Sequence, residues 1–321
     1  MVRCVYMDTF SNGIALGAMW FGTRLSEETS FALLDRFVSR GGRWLDTSDN
    51  YAFWASPSGR GGASETVLGE WLRRHPGMRD DVSISTKVGA NPTQAGVGAA
   101  SLEGLAPSAI AQAVAGSLER LGVETIDLLW AHVEDRAVPL EDQVEAFGAL
   151  VAAGRVRRLG ASNHAMWRVE RARAAARARD VEPFRFVQLR HSYLQPIPFA
   201  PLPEWGHVIA SPEVIDYVAS EGLGMWAYTT LLGGAFARPE RLQEVYRHPD
   251  TERRLAALDR VARRWDATRN QVVLSWLLEG SPVVTPIVGV SDLAQLDEAM
   301  DALQLHLQAD DRDELDGRQH E

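Results

Sequence analysis

Cysteine is almost missing from this chain of 321 residues. The one present, Cys4, has no partner for an intramolecular disulfide, so nothing calls for an oxidising compartment and the cytoplasm is the expected location. Positive charge is also short. Lys and Arg number 33 against 43 Asp and Glu, a formal net charge of −10, which argues against non-specific binding to nucleic acid. Long apolar runs are lacking too: none reaches the roughly 18 residues of a membrane span. The stretch from Gly13 to Gly22 has only Arg3 as an early basic residue, is interrupted by glycines and leads to no small-residue cleavage pattern. A soluble, unprocessed chain without a membrane partner is expected. His164 and His191 have no second His, Cys or acid at metal-ligand spacing, so no metal is expected.

The dinucleotide-binding turn G-x-G-x-x-G is not found either. After the first candidate strand the chain reads Gly17-Ala18-Met19-Trp20-Phe21-Gly22, without the middle glycine, which weakens a doubly wound sheet. What is present is a hydrophobic content of 45%, enough for one large core over residues 1–321. Short apolar runs alternate with segments of helical period, the pattern of βα units and a parallel sheet. Eight such runs occur: Ile14 to Gly17, Arg43 to Thr47, Val82 to Lys87, Ile126 to Ala131, Val156 to Ala161, Phe186 to Leu189, Gly224 to Tyr228 and Val283 to Val288. Ser26 ahead of Glu27 and Glu28, and Pro107-Ser108 ahead of a periodic run to Leu121, mark helix starts; Gly122 suits a C-cap. The expected fold is therefore α/β, a single-domain (β/α)8 TIM barrel. Three loops follow strand ends, the side where such a barrel carries its active site: Ala52 to Ala63, Asn91 to Pro107 and the proline-rich Gln195 to Pro212.

Asp46 ends the second candidate strand, Tyr51 follows five residues later, Lys87 ends the third, and His132 sits just past the fourth. Neighbouring strands lie about 5 Å apart, so these four side chains should converge. Taken singly, each has an ordinary structural reading: a capping Asp, a packing Tyr, a surface Lys, a core His. Together their chemistry is complementary. A phenol of pKa about 10 shuttles protons poorly at neutral pH, and a neighbouring ammonium favours its anion. Lys87 can be that ammonium, Asp46 can hold it charged, and His132 can donate to an oxygen on which charge develops.

These residues lie in segments that resemble the aldo-keto reductase family. Leu45-Asp46-Thr47-Ser48-Asp49-Asn50-Tyr51 is similar to its D-T-A-x-x-Y segment, and Gly62-Ala63-Ser64-Glu65-Thr66-Val67-Leu68-Gly69 to its G-x-S-E-x-x-L-G. Ile84-Ser85-Thr86-Lys87, Leu118-Glu119-Arg120-Leu121-Gly122, Asp127-Leu128-Leu129-Trp130-Ala131-His132 and Gly154-Arg155-Val156-Arg157-Arg158-Leu159-Gly160-Ala161-Ser162-Asn163 continue the match in family order. The resemblance implies a barrel without a Rossmann domain and reduction of a small-molecule carbonyl by hydride from a nicotinamide. It implies Tyr51 as general acid, Lys87 and Asp46 as its tuning pair, and His132 as the group that orients the carbonyl.

By the same resemblance, Ser162, Asn163 and Gln188 hold the nicotinamide carboxamide and Tyr228 stacks on its ring. Thr229, Leu231 and Gly233 belong to a backbone cradle for the pyrophosphate, while Gly289, Ser291, Gln295 and Glu298 serve the adenosine end. The sequence departs from the family there. Gly289-Val290-Ser291-Asp292-Leu293-Ala294-Gln295 has no basic side chain for the 2′-phosphate of NADP, and Ala299 replaces the usual asparagine. NADPH is the expected cofactor, with NADH as the alternative. Trp20, Phe53, Trp54 and Trp205 lie in or beside the loops at the mouth, where they line a substrate pocket or pack the loops. Two other functions share this frame: a cofactor-binding regulatory subunit, and a redox-neutral enzyme that recycles its hydride.

Overall fold

A computed structural model describes residues 13–95 and 97–318; Arg3 and Cys4 lie outside them. Eight parallel strands close into a barrel in sequence order: β1 (Ala15–Gly17), β2 (Trp44–Asp46), β3 (Ser83–Val88), β4 (Leu128–Ala131), β5 (Leu159–Ser162), β6 (Phe184–Arg190), β7 (Gly224–Tyr228) and β8 (Val284–Val288). Closure excludes the doubly wound sheet. The helices between and after them are α1 (Glu27–Ser39), α2 (Ala63–Arg74), α3 (Met78–Asp81), α4 (Pro107–Leu121), α5 (Leu140–Ala152), α6 (Met166–Arg179), α7 (Pro212–Glu221), α8 (Pro249–Arg264), α9 (Arg269–Leu278), α10 (Leu293–Asp301) and α11 (Ala309–Asp316). Among the described residues no helix is long and apolar enough to cross a membrane. Two compact units share these elements: residues 15–188 with 289–292, and residues 13–14 with 189–288 and 293–318.

Every expected strand is present with modest shifts at its ends. β4 and β5 begin later than the apolar runs suggest, because Ile126 and Val156 pair only as an isolated bridge ahead of them. β6 begins earlier, at Phe184, whose ring packs 5.7 Å from that of Phe147. Helix signals act as read: the Ser26 hydroxyl accepts from the Thr29 amide, and Gly122 ends α4 in the left-handed conformation.

Several motif residues turn out to be ties between elements of residues 15–188. Ser64 donates to the Ala18 carbonyl at 2.7 Å and shares a hydrogen bond with Thr47. Glu65 is fully buried, accepts from Thr86 at 2.5 Å, and is paired with Arg120 of α4 at 2.7 Å. Gly69 leaves room for the Arg120 carbonyl, which a Cβ there would overlap. Asp127 accepts from the Ile84 amide at 2.8 Å and pairs with Arg79, anchoring the start of β3. The result is a set of buried ties that join α2 and α4 to the strands.

The barrel interior is graded by size. Trp130 of β4 lies opposite Gly160 of β5, which lies opposite Phe186 of β6. Hydrogen at position 160 admits the indole, and Trp130 meets Phe186 edge to face at 6.4 Å. A methyl at 160 would overlap the six-membered edge of the Trp130 indole. Gly160→Ala should therefore lower unfolding stability by about 1–3 kcal/mol, the range for core overpacking, as read from urea denaturation.

Candidate active site

The site forms because β2 and β3 keep pairing after β2 ends. Asp46 lies opposite Ser85; beyond it the Thr47 amide bonds to the Ser85 carbonyl and the Asp49 amide to the Lys87 carbonyl. Lys87, two residues after Ser85, points to the same face of β3. The chain then turns back, with the Tyr51 amide on the Ser48 carbonyl, and brings the phenol over the strand ends.

Lys87 is the only lysine in the chain; every other basic side chain is arginine. It is 1% exposed, and its ammonium donates to three acceptors: Tyr51 Oη at 2.5 Å, Asp46 Oδ2 at 2.6 Å and the Thr47 carbonyl at 2.8 Å. An ammonium has three protons, so it is fully satisfied. Burial pushes the Lys87 pKa down, and the Asp46 carboxylate is the main group opposing that shift. Asp46 is wholly buried, accepts from Ser85 at 2.7 Å on its other oxygen, and also accepts from Tyr51 Oη at 3.0 Å. His132 follows β4, with its ring centroid 6.2 Å from that of Tyr51 and its Nδ1 3.2 Å from Ser48 Oγ. The four expected residues are thus brought together.

Ser162, Asn163 and Gln188 join them at the ends of β5 and β6. Ser162 is register partner to Gln188, the Asn163 amide bonds to the Gln188 carbonyl, and Gln188 Nε2 lies 3.4 Å from Asp46 Oδ1. Asn163 holds a left-handed backbone and donates through Nδ2 to Ser162 Oγ and the His132 carbonyl. At the mouth, Trp54 is 54% exposed and meets Trp20 edge to face at 6.0 Å and Phe53 at 5.0 Å; the Arg24 guanidinium covers Trp20.

The other unit carries the rest. Tyr228 ends β7, and burial raises its pKa. After it, Thr229, Leu232, Gly233 and Gly234 all have positive φ, and the chain folds into tight turns in which the Leu232 and Gly234 amides bond to the Thr229 and Leu231 carbonyls. Glu298 of α10 accepts from Asn270 at 3.1 Å, while Gly289 and Ser291, both exposed, belong with residues 15–188. Trp205 is also exposed.

Sequence reasoning missed three contributors. Arg241 donates to the Gly233 carbonyl at 3.2 Å and adds a cation to the turn after β7. Arg190, at the end of β6, is buried and ties Glu204, His207, Gln243 and Tyr246 together, and the His207 ring lies 4.8 Å from Tyr228. Asp49, inside the Asp46–Tyr51 segment, is buried with Oδ2 unbonded. Burial raises its pKa well above its ordinary value, and the nearby Glu103 carboxylate adds to the shift.

Residues 13–319 match the aldo/keto reductase family. An aryl-alcohol dehydrogenase of Pestalotiopsis microspora is 27% identical over 95% of this chain and 76% of its own. Norsolorinic acid reductase A of Aspergillus parasiticus is 27% identical over 94% of this chain and 76% of its own. The oxidoreductase YrpG of Bacillus subtilis is 26% identical over 92% of this chain and 88% of its own.

A single lysine makes the ion pair directly observable. Lysine-selective isotope labelling should give one buried side-chain resonance that titrates below the free amino acid, and Asp46→Asn should lower that midpoint further by removing the group that opposes desolvation. An unchanged midpoint would mean Asp46 is no electrostatic partner. For Asp49 the sign is opposite: its folded pKa is raised, so the folded state retains a proton that the unfolded chain has lost. Stability should fall from about pH 4 upward until Asp49 ionises in the fold. Asp49→Asn escapes this loss, so its advantage over the parent in urea unfolding should grow with pH.

Proposed function

The chain belongs to the aldo/keto reductase family and is an oxidoreductase acting on carbonyl and alcohol groups, and we propose that it reduces an aromatic aldehyde or ketone in the cytoplasm, with NADPH as hydride source and Tyr51 as proton donor. The observation that carries this reading is the placement of Tyr51 Oη, 2.5 Å from the one ammonium of a lysine side chain and 3.0 Å from Asp46.

In the proposed reaction Tyr51 gives its proton to the carbonyl oxygen as that oxygen gains charge. The phenolate left behind sits against Lys87, whose other two N–H groups are held by Asp46 and the Thr47 carbonyl, so the cation cannot swing away. Burial strengthens this interaction by keeping water from screening it. His132 orients the carbonyl from the neighbouring strand end.

A nicotinamide suits the donors present. Ser162, Asn163 and Gln188 offer a hydroxyl and two amides beside Asp46, a set matched to a carboxamide. The Tyr228 ring would stack, and the turn holding Thr229, Leu231 and Gly233, with Arg241, would take the pyrophosphate. Gly289, Ser291, Gln295 and Glu298 would serve the adenosine. When bound, the cofactor supplies hydride to the carbonyl carbon. Without Lys or Arg in the first turn of α10, Ser291 and Gln295 would take up the 2′-phosphate of NADPH. An aromatic substrate is supported by the cluster of exposed Trp54 with half-buried Trp20 and Phe53, and by the relative named for aryl alcohols.

Tyr51→Phe should lower turnover of an aryl aldehyde by about 10²- to 10⁴-fold, the range for a general acid, with cofactor affinity almost unchanged. Titration of the tryptophan fluorescence should show tighter binding of NADPH than of NADH. Full activity in Tyr51→Phe would remove the tyrosine from the chemistry, and tighter NADH binding would reverse the cofactor.

A further inference from the structure

A cation stands among the aromatic rings at the mouth of the site. The Ala18 amide, just past β1, bonds to the Asp46 carbonyl at 2.9 Å, so Trp20 lies at most about 7 Å of chain from that anchor. There the chain folds back. The Trp20 carbonyl accepts from the Thr23 amide at 3.2 Å, the Leu25 amide at 3.0 Å and the Thr23 hydroxyl at 3.1 Å, and Phe21 and Leu25 form an isolated bridge. This turn sets the Arg24 guanidinium 3.9 Å from the centroid of the Trp20 ring. Trp54, at most about 11 Å of chain after Tyr51, meets the same ring edge to face. The rings under the cation are thus tethered to both Asp46 and Tyr51. Arg24 is exposed and makes no hydrogen bond or ion pair with another described residue, and Glu27, the first carboxylate after it, is paired with Arg74 at 2.8 Å. A ring face attracts a guanidinium without offering a lone pair, so the planar fork of N–H donors stays open to an acceptor with two oxygens.

We propose that Arg24 is a specificity-determining residue of this mouth, and that it selects aromatic carbonyl compounds carrying a carboxylate on the ring. With the carbonyl at Tyr51 Oη, the ring of such a compound lies against Trp20 and Trp54, and its carboxylate meets the Arg24 fork through parallel N–H···O bonds. The contact is away from the reacting carbon and is the same before and during hydride transfer, so it acts on KM rather than on kcat. A chain of net charge −10 otherwise repels anions, and an unpaired guanidinium at the entrance offsets that repulsion where it matters. Reduction of the bound compound rests on the reading of Tyr51 as proton donor; the preference for an anionic ring does not.

The test compares meta- and para-formylbenzoate with the neutral amides of the same shape. In the parent at least one acid should be reduced with a kcat/KM about tenfold above that of its amide, the size of an exposed charge-assisted contact, through a lower KM. Arg24→Met keeps an apolar stem over Trp20 and removes the charge, and it should bring that ratio to about one. Arg24→Lys should restore part of the preference, and roughly 0.5 M salt should narrow it in the parent. A side chain that only packs on Trp20 would change acid and amide alike. Equal use of acid and amide by the parent overturns the proposal, and so does a preference that Arg24→Met retains, because another group then reads the anion. Calorimetric titration with the product alcohols, meta- and para-(hydroxymethyl)benzoate against their amides, needs no turnover. Tighter binding of an acid there, lost in Arg24→Met, combined with no reduction of any of the aldehydes, would remove the reductase reading and leave the anion site. Reduction of the aldehydes with equal binding of acids and amides would do the reverse.

Discussion

Taking one ammonium out of water is the constraint around which this site is built. A buried lysine is tolerated only if its three protons and its charge are answered, and Lys87 has Asp46, the Thr47 carbonyl and Tyr51 Oη to do so. Breaking such a buried pair by removing one partner typically costs about 3–5 kcal/mol. The rest follows from keeping these acceptors in place: Ser85 holds the second oxygen of Asp46, and the continued pairing of residues 47–49 with β3 aims Thr47 and Tyr51. Arginine could not replace it, since a planar guanidinium has no single point of charge to present to one phenol oxygen. A chain that uses arginine everywhere else retains lysine at this one position.

The segments that resemble the family most clearly divide into two kinds of residue. Asp46, Tyr51, Lys87 and His132 converge where chemistry is proposed. Ser64, Glu65, Gly69, Arg120 and Asp127 do not reach that point; they join α2 and α4 to β1, β2 and β3 beneath it. Their burial and pairing explain why a motif can extend well past its reactive members. Precise placement of a proton donor requires supporting contacts of its own, and a fully buried carboxylate bound by Thr86 and Arg120 supplies them.

A second buried cation serves the other unit in a comparable way. Arg190 draws Glu204 and His207 from the proline-rich loop, and Gln243 and Tyr246 from the segment before α8, to the end of β6. Burial lowers the His207 pKa to about 4, so a neutral ring faces Tyr228. The aromatic proposed to stack on a nicotinamide is thereby backed by a ring that Arg190 ties to the end of β6.

Eight βα units were legible in the chain because burial on both faces of a parallel strand writes itself as a short apolar run, and strand-end positions of Asp46, Lys87 and His132 follow once those runs are counted. Strand ends were less so: β4 and β5 start late because their first apolar residues pair only as a bridge. Arg190, Arg241 and Asp49 escaped reading because their partners lie up to 56 residues away and no local pattern connects them. By itself, then, the sequence determined the barrel, its family and the set of groups available for proton transfer, since these depend on periodicity and on residue type at strand ends. Only the tertiary structure decided which acceptor each proton meets, as at Lys87 Nζ, because hydrogen bonds are settled by distances of a few tenths of an ångström that no spacing along a chain records.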